Sequence, residues 1–344
     1  MIPGPYLLYL GHSADPIAIK TSRGLAEFRS EDCVGEFRHD DSPLTLGLAR
    51  LTMAEGAAAG ARTLVLGIAG AGGRLGRDLV EDAALALEAG MNVAAGLHQR
   101  LRDEPHLAAL AAERGLRLFD VRDPPPGLAV GTGYPRPGRR LLTVGTDCSV
   151  GKMYAALALT RGLRDRGLAA DFRATGQTGI LIAGAGIPVD AVVADFISGA
   201  IERLAPARDD GGWDVIEGQG SIFHPSFAGV SVGLLHGAQP EAIILCHRPG
   251  RSHMRGLPGR PLPGLAECLD RNLETARLTS PAVRAAGICL NTSGMEPAEA
   301  RRLCDRTAGR LGLPCTDPIA FGVEGLIGEL LCPEPSARST TASL

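Results

Sequence analysis

Short apolar runs alternate along this chain with amphipathic stretches of helical period, the pattern of a parallel sheet whose strands are joined by crossover helices. RTLVLGIAG reads as a buried strand ending in a glycine-rich loop, Gly70 to Gly73. RDLVEDAALALEAG follows as a helix with Gly90 at its C-cap, then MNVAAGLH as a strand, HLAALAAERG as a helix and RLFDVR as a strand. That βαβαβ series belongs to Rossmann-like α/β domains. From Asp123 to Arg140 the chain is dense in proline and glycine, loses its period and reads as an interdomain connection. The alternation restarts with LLTVG, a helix MYAALALTRGLRDRG and the run AADFRATG, and further strands are expected at WDVIEG, EAIILCH and AAGICLN.

Composition narrows the function classes. The 344 residues are 45% hydrophobic and 21% charged, enough for two globular domains with sizeable cores. A net charge of −3 supplies no basic field for nucleic acid or an acidic membrane. The start, MIPGPYLLYLGHSADP, has no basic leader, and no apolar run is long enough to span a bilayer, so a cytoplasmic protein without membrane or nucleic-acid partners is expected. The eight cysteines form no C-x-x-C pair, which argues against a zinc ribbon or dithiol centre and for reduced core thiols; no metal is expected. Of the 35 basic residues, 33 are arginine and two are lysine, Lys20 and Lys152. Keeping an ammonium at 152 in so arginine-rich a chain suits a confined anion site, where a compact point charge fits and a planar fork does not.

Lys152 lies in the strongest motif. The strand Leu141–Val144 runs into Gly145-Thr146-Asp147-Cys148-Ser149-Val150-Gly151-Lys152, and a helix follows directly. Backbone N–H groups of such a loop converge on phosphate oxygens, the helix N-terminus adds its dipole, and the lysine neutralises the outer phosphate. Two features depart from a hydrolytic P-loop. One extra residue separates the glycines, and position 153 is Met where an NTPase presents the hydroxyl that holds Mg²⁺. A thioether does not replace a hard oxygen ligand. The loop is therefore expected to bind a phosphate-bearing ligand without hydrolysing it.

Other candidates lie at the ends of expected strands. In WDVIEGQGSIFHP, Glu217 sits where ligands bind in open α/β sheets, beside Gly218 and Gly220, while Asp214 inside the strand reads as a structural carboxylate. His224 stands either in the same pocket or at the surface. ADFRATGQTG places Arg173, Gln177 and Thr178 where an anionic ligand would find donors or where a plain loop would run. LCHRPGRSHMRG offers His247 and Arg248 to carboxylates or phosphates, with Arg251 and Arg255 read as a solvated basic loop. Asn291 and Thr292 end a further strand, where they could meet an adenine or ribose. GAGGRLG does not complete the dinucleotide fingerprint, and no acid follows at the ribose offset, so NAD is not expected.

GTDCSVGKM, ATGQTGILIAG, VIEGQGSIFHP and LCHRPGR, with GIAGAGGRL and NVAAGLH upstream, resemble the DUF1611 family, which has been linked to D-glutamate N-acetyltransferases of D-amino-acid catabolism. The resemblance spans nearly the whole chain. It implies a Rossmann-like N-terminal domain over residues 1–135, a linker at 136–140, a P-loop NTPase-like domain with a mainly parallel sheet over 141–335, and a polar tail at 336–344. It also implies transfer of an acetyl group from acetyl-CoA to the amine of D-glutamate or a related amino acid. On that basis the segment Gly145 to Met153, with Asn291, would hold CoA. Glu217 or His224 would accept the ammonium proton, and Arg173, Gln177, Thr178, His247 and Arg248 would bind the acceptor. The P-loop half is also similar to dethiobiotin synthetase, a ligase that uses ATP and Mg²⁺. Under that alternative ATP and Mg²⁺ would be the cofactors, and Met153 is the residue that departs from it. A homo-oligomer is expected for an α/β enzyme of this size.

Overall fold

A computed structural model describes residues 2–16, 18–68 and 75–332. The chain forms two compact units, Met1–Pro126 with Ala174–Ala191, and Gly127–Arg173 with Val192–Leu344. In the first unit the elements run β1 (Tyr6–Gly11), α1 (Lys20–Phe28), β2 (Cys33–Arg38), α2 (Met53–Ala58), β3 (Thr63–Leu66), α3 (Arg77–Glu88), β4 (Asn92–Ala95), α4 (Pro105–Glu113) and β5 (Leu118–Asp120). The five strands are parallel in the order β2-β1-β3-β4-β5. The expected βαβαβ series is the β3-to-β5 half of this Rossmann-like sheet. Its starts and stops follow local chemistry: Pro105 opens α4, and Gly90 ends the turn after α3 at φ +87°. The pattern did not foresee β1 and β2. Every residue of β1 is buried, because this strand has a neighbour on each side and helices over both faces, and so its sequence YLLYLG shows no alternation. The loop Gly70 to Gly73 and the tail 336–344 lie outside the described residues.

The second unit contains β6 (Arg139–Gly145), α5 (Lys152–Asp165) and β7 (Ala170–Arg173). The chain then gives α6 (Gln177–Ala183) to the first unit. It returns with α7 (Ile197–Leu204), β8 (Trp213–Ile216), α8 (Ala228–Ala238), β9 (Ala242–His247), α9 (Leu265–Arg277), β10 (Arg284–Leu290), α10 (Pro297–Leu311), β11 (Cys315–Thr316) and α11 (Glu324–Leu331). Six parallel strands order as β11-β10-β9-β6-β8-β7, so β6 lies inside the sheet between β8 and β9. Leu141, Leu159, Trp213, Val215, Ile244 and Leu326 are among the side chains of its core.

The expected linker needs correction. Arg139 and Arg140 are already strand, and from Gly127 on the proline- and glycine-rich stretch before them belongs to the second unit. The N–H groups of Thr132 and Gly133 donate to the Glu202 carboxylate at 2.9–3.0 Å. Arg136 donates to Gly237 O at 2.8 Å and Gln239 Oε1 at 2.9 Å. Irregular backbone loses its period here because its polar groups are satisfied by side chains and not by a ladder.

Helices α7 and α8 approach each other across glycines. A Cβ added to Gly237 would lie 2.4 Å from Ser198 O, whereas one added to Gly229 of the same helix meets nothing within 4 Å. Gly237→Ala is therefore expected to lower stability by roughly 1–3 kcal/mol through overpacking. Gly229→Ala should leave stability unchanged or raise it by up to about 1 kcal/mol. Urea unfolding midpoints of the two variants check this; equal shifts would contradict the close approach.

Candidate functional site

At Gly145 the chain leaves the centre of the second sheet, and the following loop is shaped by backbone conformations that few side chains permit. Ser149 has φ 52°, and Gly151, which caps α5, has φ +103°. A Cβ on Gly145 would lie 3.1 Å from Lys152 Nζ, so the bare backbone lets the ammonium settle against the strand end. Gly218, after β8, is more constrained still: its Cβ would sit 1.7 Å from Thr143 O and 3.1 Å from Lys152 Cδ. The Gly218 N–H donates to Thr143 Oγ1 at 3.0 Å. The Glu-Gly pair at the end of β8 is thereby pressed against β6 and the stem of Lys152.

Lys152 is buried, and its Nζ donates to Asp147 O at 2.8 Å. Burial pushes its ammonium below the ordinary lysine range, while Cys148, Cys246, Asp147 and Glu217 pull the other way. A phosphate docked against it would add to that restoring pull.

Asp147 has no exposed surface, and every oxygen of its carboxylate is used. Oδ1 accepts the Cys148 N–H at 2.7 Å; Oδ2 accepts Arg251 Nη1 at 2.6 Å and the Arg255 N–H at 2.9 Å. Arg251 also donates to Cys148 O at 2.7 Å and Ser149 O at 3.3 Å, and Arg255 Nη1 donates to Ser149 Oγ. The side chain of Arg251 is only 16% exposed, which corrects its expected place in a solvated loop; Arg255 is exposed as expected and reaches the P-loop through Ser149. The contacts of both with the loop were missed because the basic loop reads as solvated by itself. The available signal was Asp147, an acid in an anion-binding loop, which calls for a cation once buried. In a trans peptide a carbonyl and the next N–H point in opposite directions. Holding the carbonyls of Cys148 and Ser149 therefore turns the N–H groups of Ser149 and Val150 to the other side of the loop.

Several other expected residues gather here. The Asn291 Cβ lies 3.6 Å from where a Gly151 Cβ would be, and the Asn291 N–H donates to His247 O at 2.8 Å. Thr292 is fixed by Asp317, whose Oδ2 accepts its N–H at 2.8 Å and its hydroxyl at 2.6 Å. His247 Nδ1 is 2.9 Å from Thr146 Oγ1, and burial together with Arg251 pushes its pKa down to about 4. It is neutral at physiological pH and serves as a hydrogen-bonding group. His224 is buried; its Nε2 donates to Arg255 O at 3.1 Å and its Nδ1 accepts the Ser226 N–H at 3.2 Å. Both ring nitrogens are thus taken by main chain. Arg248 is half-buried and makes no ion pair or hydrogen bond among the described residues.

Three expected residues are engaged in other ways. Arg173 points back along the sheet, with Nη2 2.7 Å from Asp214 Oδ1 and 3.5 Å from Asp171 Oδ2. Asp214 also binds Arg208 at 2.9 Å, which makes it the structural carboxylate its strand position implied. Gln177 and Thr178 start α6 of the first unit, where Gln177 packs on Gly96 and Thr178 Oγ1 is 2.8 Å from Thr21 Oγ1. Asp147, Cys148 and His224 bring one carboxylate, one thiol and one imidazole within 4.8 Å of one another, a three-donor cluster of metal-ligating type among the described residues. Both oxygens of Asp147 in this cluster already accept hydrogen bonds, Oδ1 from the Cys148 N–H and Oδ2 from Arg251.

Comparison with known proteins follows the same division. Residues 129–327 match the domain of unknown function DUF1611_C, a P-loop domain, and residues 35–124 match DUF1611_N, a Rossmann-like domain. A D-glutamate N-acetyltransferase from a Pseudoalteromonas species is 45% identical over 329 residues, covering 96% of this chain and 99% of that protein. One from Tritonibacter scottomollicae is 47% identical over 330 residues, again covering 96% and 99%. The crystal structure of a DUF1611 family protein from Anabaena variabilis superposes with a TM-score of 0.86 at 32% identity, covering 95% of this chain and 99% of that one. The Rossmann-like and P-loop halves, and the near-complete coverage of relatives named as acyltransferases, agree with what the motifs implied: the chain belongs to the DUF1611 family.

Proposed function

We propose that this chain moves the acetyl group of acetyl-CoA to the amine of D-glutamate, with the P-loop holding phosphate of CoA. The observation that carries the acetyltransferase role is the 45–47% identity, over almost the full length, to two proteins of that name. Support for phosphate binding without hydrolysis comes from the loop itself. It joins a buried ammonium, a helix N-terminus and amides facing away from the carbonyls held by Arg251, with Met153 where a Mg²⁺-binding hydroxyl would stand.

The acceptor must lose an ammonium proton before its nitrogen attacks the thioester carbonyl. Glu217 is the candidate base that the local chemistry favours, since it is buried beside Lys152 at the strand edge. His224, with both nitrogens bonded to main chain, fits a role in holding the Arg255 segment on the loop. Arg248 is the cation best suited to an acceptor carboxylate, because the guanidinium of Arg173 is already paired with Asp214.

The direct test is release of free CoA thiol from acetyl-CoA with D-glutamate, L-glutamate and D-aspartate in parallel, alongside ATP with Mg²⁺. Release with D-glutamate is expected; ADP formation without thiol release would replace this reading with the ligase. Lys152→Ala and Arg251→Gln are each expected to weaken acetyl-CoA binding at least tenfold by calorimetry while the fold survives. Unchanged affinity in both would remove the P-loop from the cofactor site.

Neutral His247 has a consequence for stability. Its folded pKa of about 4 lies below the ordinary value of 6.5, so between these values the unfolded chain takes up a proton that the folded chain refuses. The stability it contributes is complete above pH 6.5 and is lost as pH falls toward 4. That loss amounts to ~2 kcal/mol between pH 7 and 4.5. His247→Gln should lose less stability than the parent over that range by about this amount, measured by urea unfolding at each pH; parallel pH profiles would show that His247 does not titrate this way.

A further inference from the structure

The carboxyl edge of the first sheet holds a cleft that the P-loop chemistry does not use. It opens where β4 and β5 end, has a volume of about 120 Å³, and is walled by Leu97, His98, Arg100, Asp120, Arg122 and Ala191. Ligands of open α/β sheets bind outside the carboxyl ends of their strands, which is where this cleft lies, although between β4 and β5 and not at the β1/β3 switch point.

Its walls contain two unsatisfied polar atoms of opposite kind. Asp120 Oδ2 and Arg122 Nε are both buried and have no hydrogen-bond partner. The Asp120 side chain is 6% exposed; its Oδ1 accepts the Leu101 N–H at 2.6 Å, while Oδ2 forms an ion pair with Arg102 Nε at 3.7 Å, longer than a hydrogen bond. Burial pushes the Asp120 carboxyl above the ordinary aspartate range. Arg122 uses Nη2 on Asp190 and leaves its Nε–H without an acceptor. A buried donor or acceptor left without a partner is destabilising. A bound molecule with a donor near Asp120 and an acceptor near Arg122 would relieve both.

The surrounding charges limit what that molecule can be. Arg100 and Arg102 pair with Asp123, and Arg122 pairs with Asp190, so the wall is balanced and does not present one sign. A bare phosphate gains little from such a wall, whereas a small molecule carrying both charges matches it. We propose that this cleft binds a free α-amino acid, its ammonium toward Asp120 and a carboxylate toward Arg122. Leu97 and Ala191 supply apolar contact for the carbon chain, and Arg100 stands at the cleft wall for a second carboxylate. The choice of glutamate as the amino acid rests on the proposed function; the zwitterion itself rests on the cleft.

The test is calorimetric binding to the full-length protein without acetyl-CoA, using D-glutamate, L-glutamate and glutarate, the last lacking the ammonium. D-glutamate should bind the parent, and glutarate should bind at least tenfold more weakly. Asp120→Asn and Arg122→Met should each weaken D-glutamate at least tenfold while leaving the melting temperature and acetyl-CoA affinity near the parent's. Equal binding of glutarate, or unchanged D-glutamate affinity in both variants, would overturn the proposal, as would no amino-acid binding at all, which would mean the cleft holds water only. Because no acetyl donor is present, these outcomes are independent of thiol release. A parent that turns over D-glutamate but whose calorimetric binding of D-glutamate is unchanged in both Asp120→Asn and Arg122→Met keeps the enzyme reading and loses this one.

Discussion

The phosphate loop depends on one buried ion pair. Asp147, with no exposed surface, would be costly beside an anion-binding cradle if it stood alone, since it would repel the ligand the cradle is shaped to hold. Arg251 removes that cost at 2.6 Å and spends its remaining donors on the carbonyls of the next two residues. The carboxylate thus works as an anchor for a guanidinium and not as a ligand. The guanidinium in turn fixes which way the peptide planes face, and that orientation is what makes a strand-to-helix turn an anion site. Removing Asp147 would leave the guanidinium without its counter-charge, and removing Arg251 would leave a buried carboxylate unpaired and two carbonyls without this donor.

The same arrangement explains why the sequence was legible up to the loop and less so beyond it. A strand, a glycine-bounded loop and a helix form a contiguous unit, so their geometry follows from neighbours in the chain. The positions of Glu217 and Asn291 also followed from strand ends, because a parallel sheet brings all its carboxyl ends to one edge. What could not be read were contacts made across long separations by flexible side chains. Arg251 and Arg255 lie about a hundred residues from the loop they hold, and in isolation a basic loop with glycines and prolines looks solvated. Arg173 was misread for the opposite reason. Its strand-end position was clear, but the buried Asp214 on the neighbouring strand claims its guanidinium.

The fold divides in the same way. Strands β3, β4 and β5 announced themselves because helices of clear period separate them. Strand β1, the one joining β2 to the rest of the first sheet, did not, since a strand buried on both faces carries no alternation and is short enough to pass for any apolar run. The proline- and glycine-rich stretch was recognisable as irregular, but irregular is not the same as unattached. Glu202 and the Gln239 side chain satisfy its backbone, and the Arg136 side chain ties it to Gly237 O of the second unit.

The proposed binding without hydrolysis rests on the surroundings of the loop as well as on its motif. A P-loop that cleaves phosphates needs a metal to neutralise charge that develops on the transferred group. At this turn the hydroxyl that would hold the metal is replaced by Met153, and the nearest carboxylate to the loop, Asp147, is already committed to Arg251. The cations that remain are fixed in place, Lys152 by Asp147 O and Arg255 by Ser149, so the loop favours an anion that arrives charged and leaves charged. A cofactor whose phosphates serve only as a handle meets that condition, because its reactive bond lies elsewhere and asks nothing of the loop but grip. Under the proposed function, that separation of grip from chemistry makes Met153 in place of a metal-binding hydroxyl compatible with an acyltransferase.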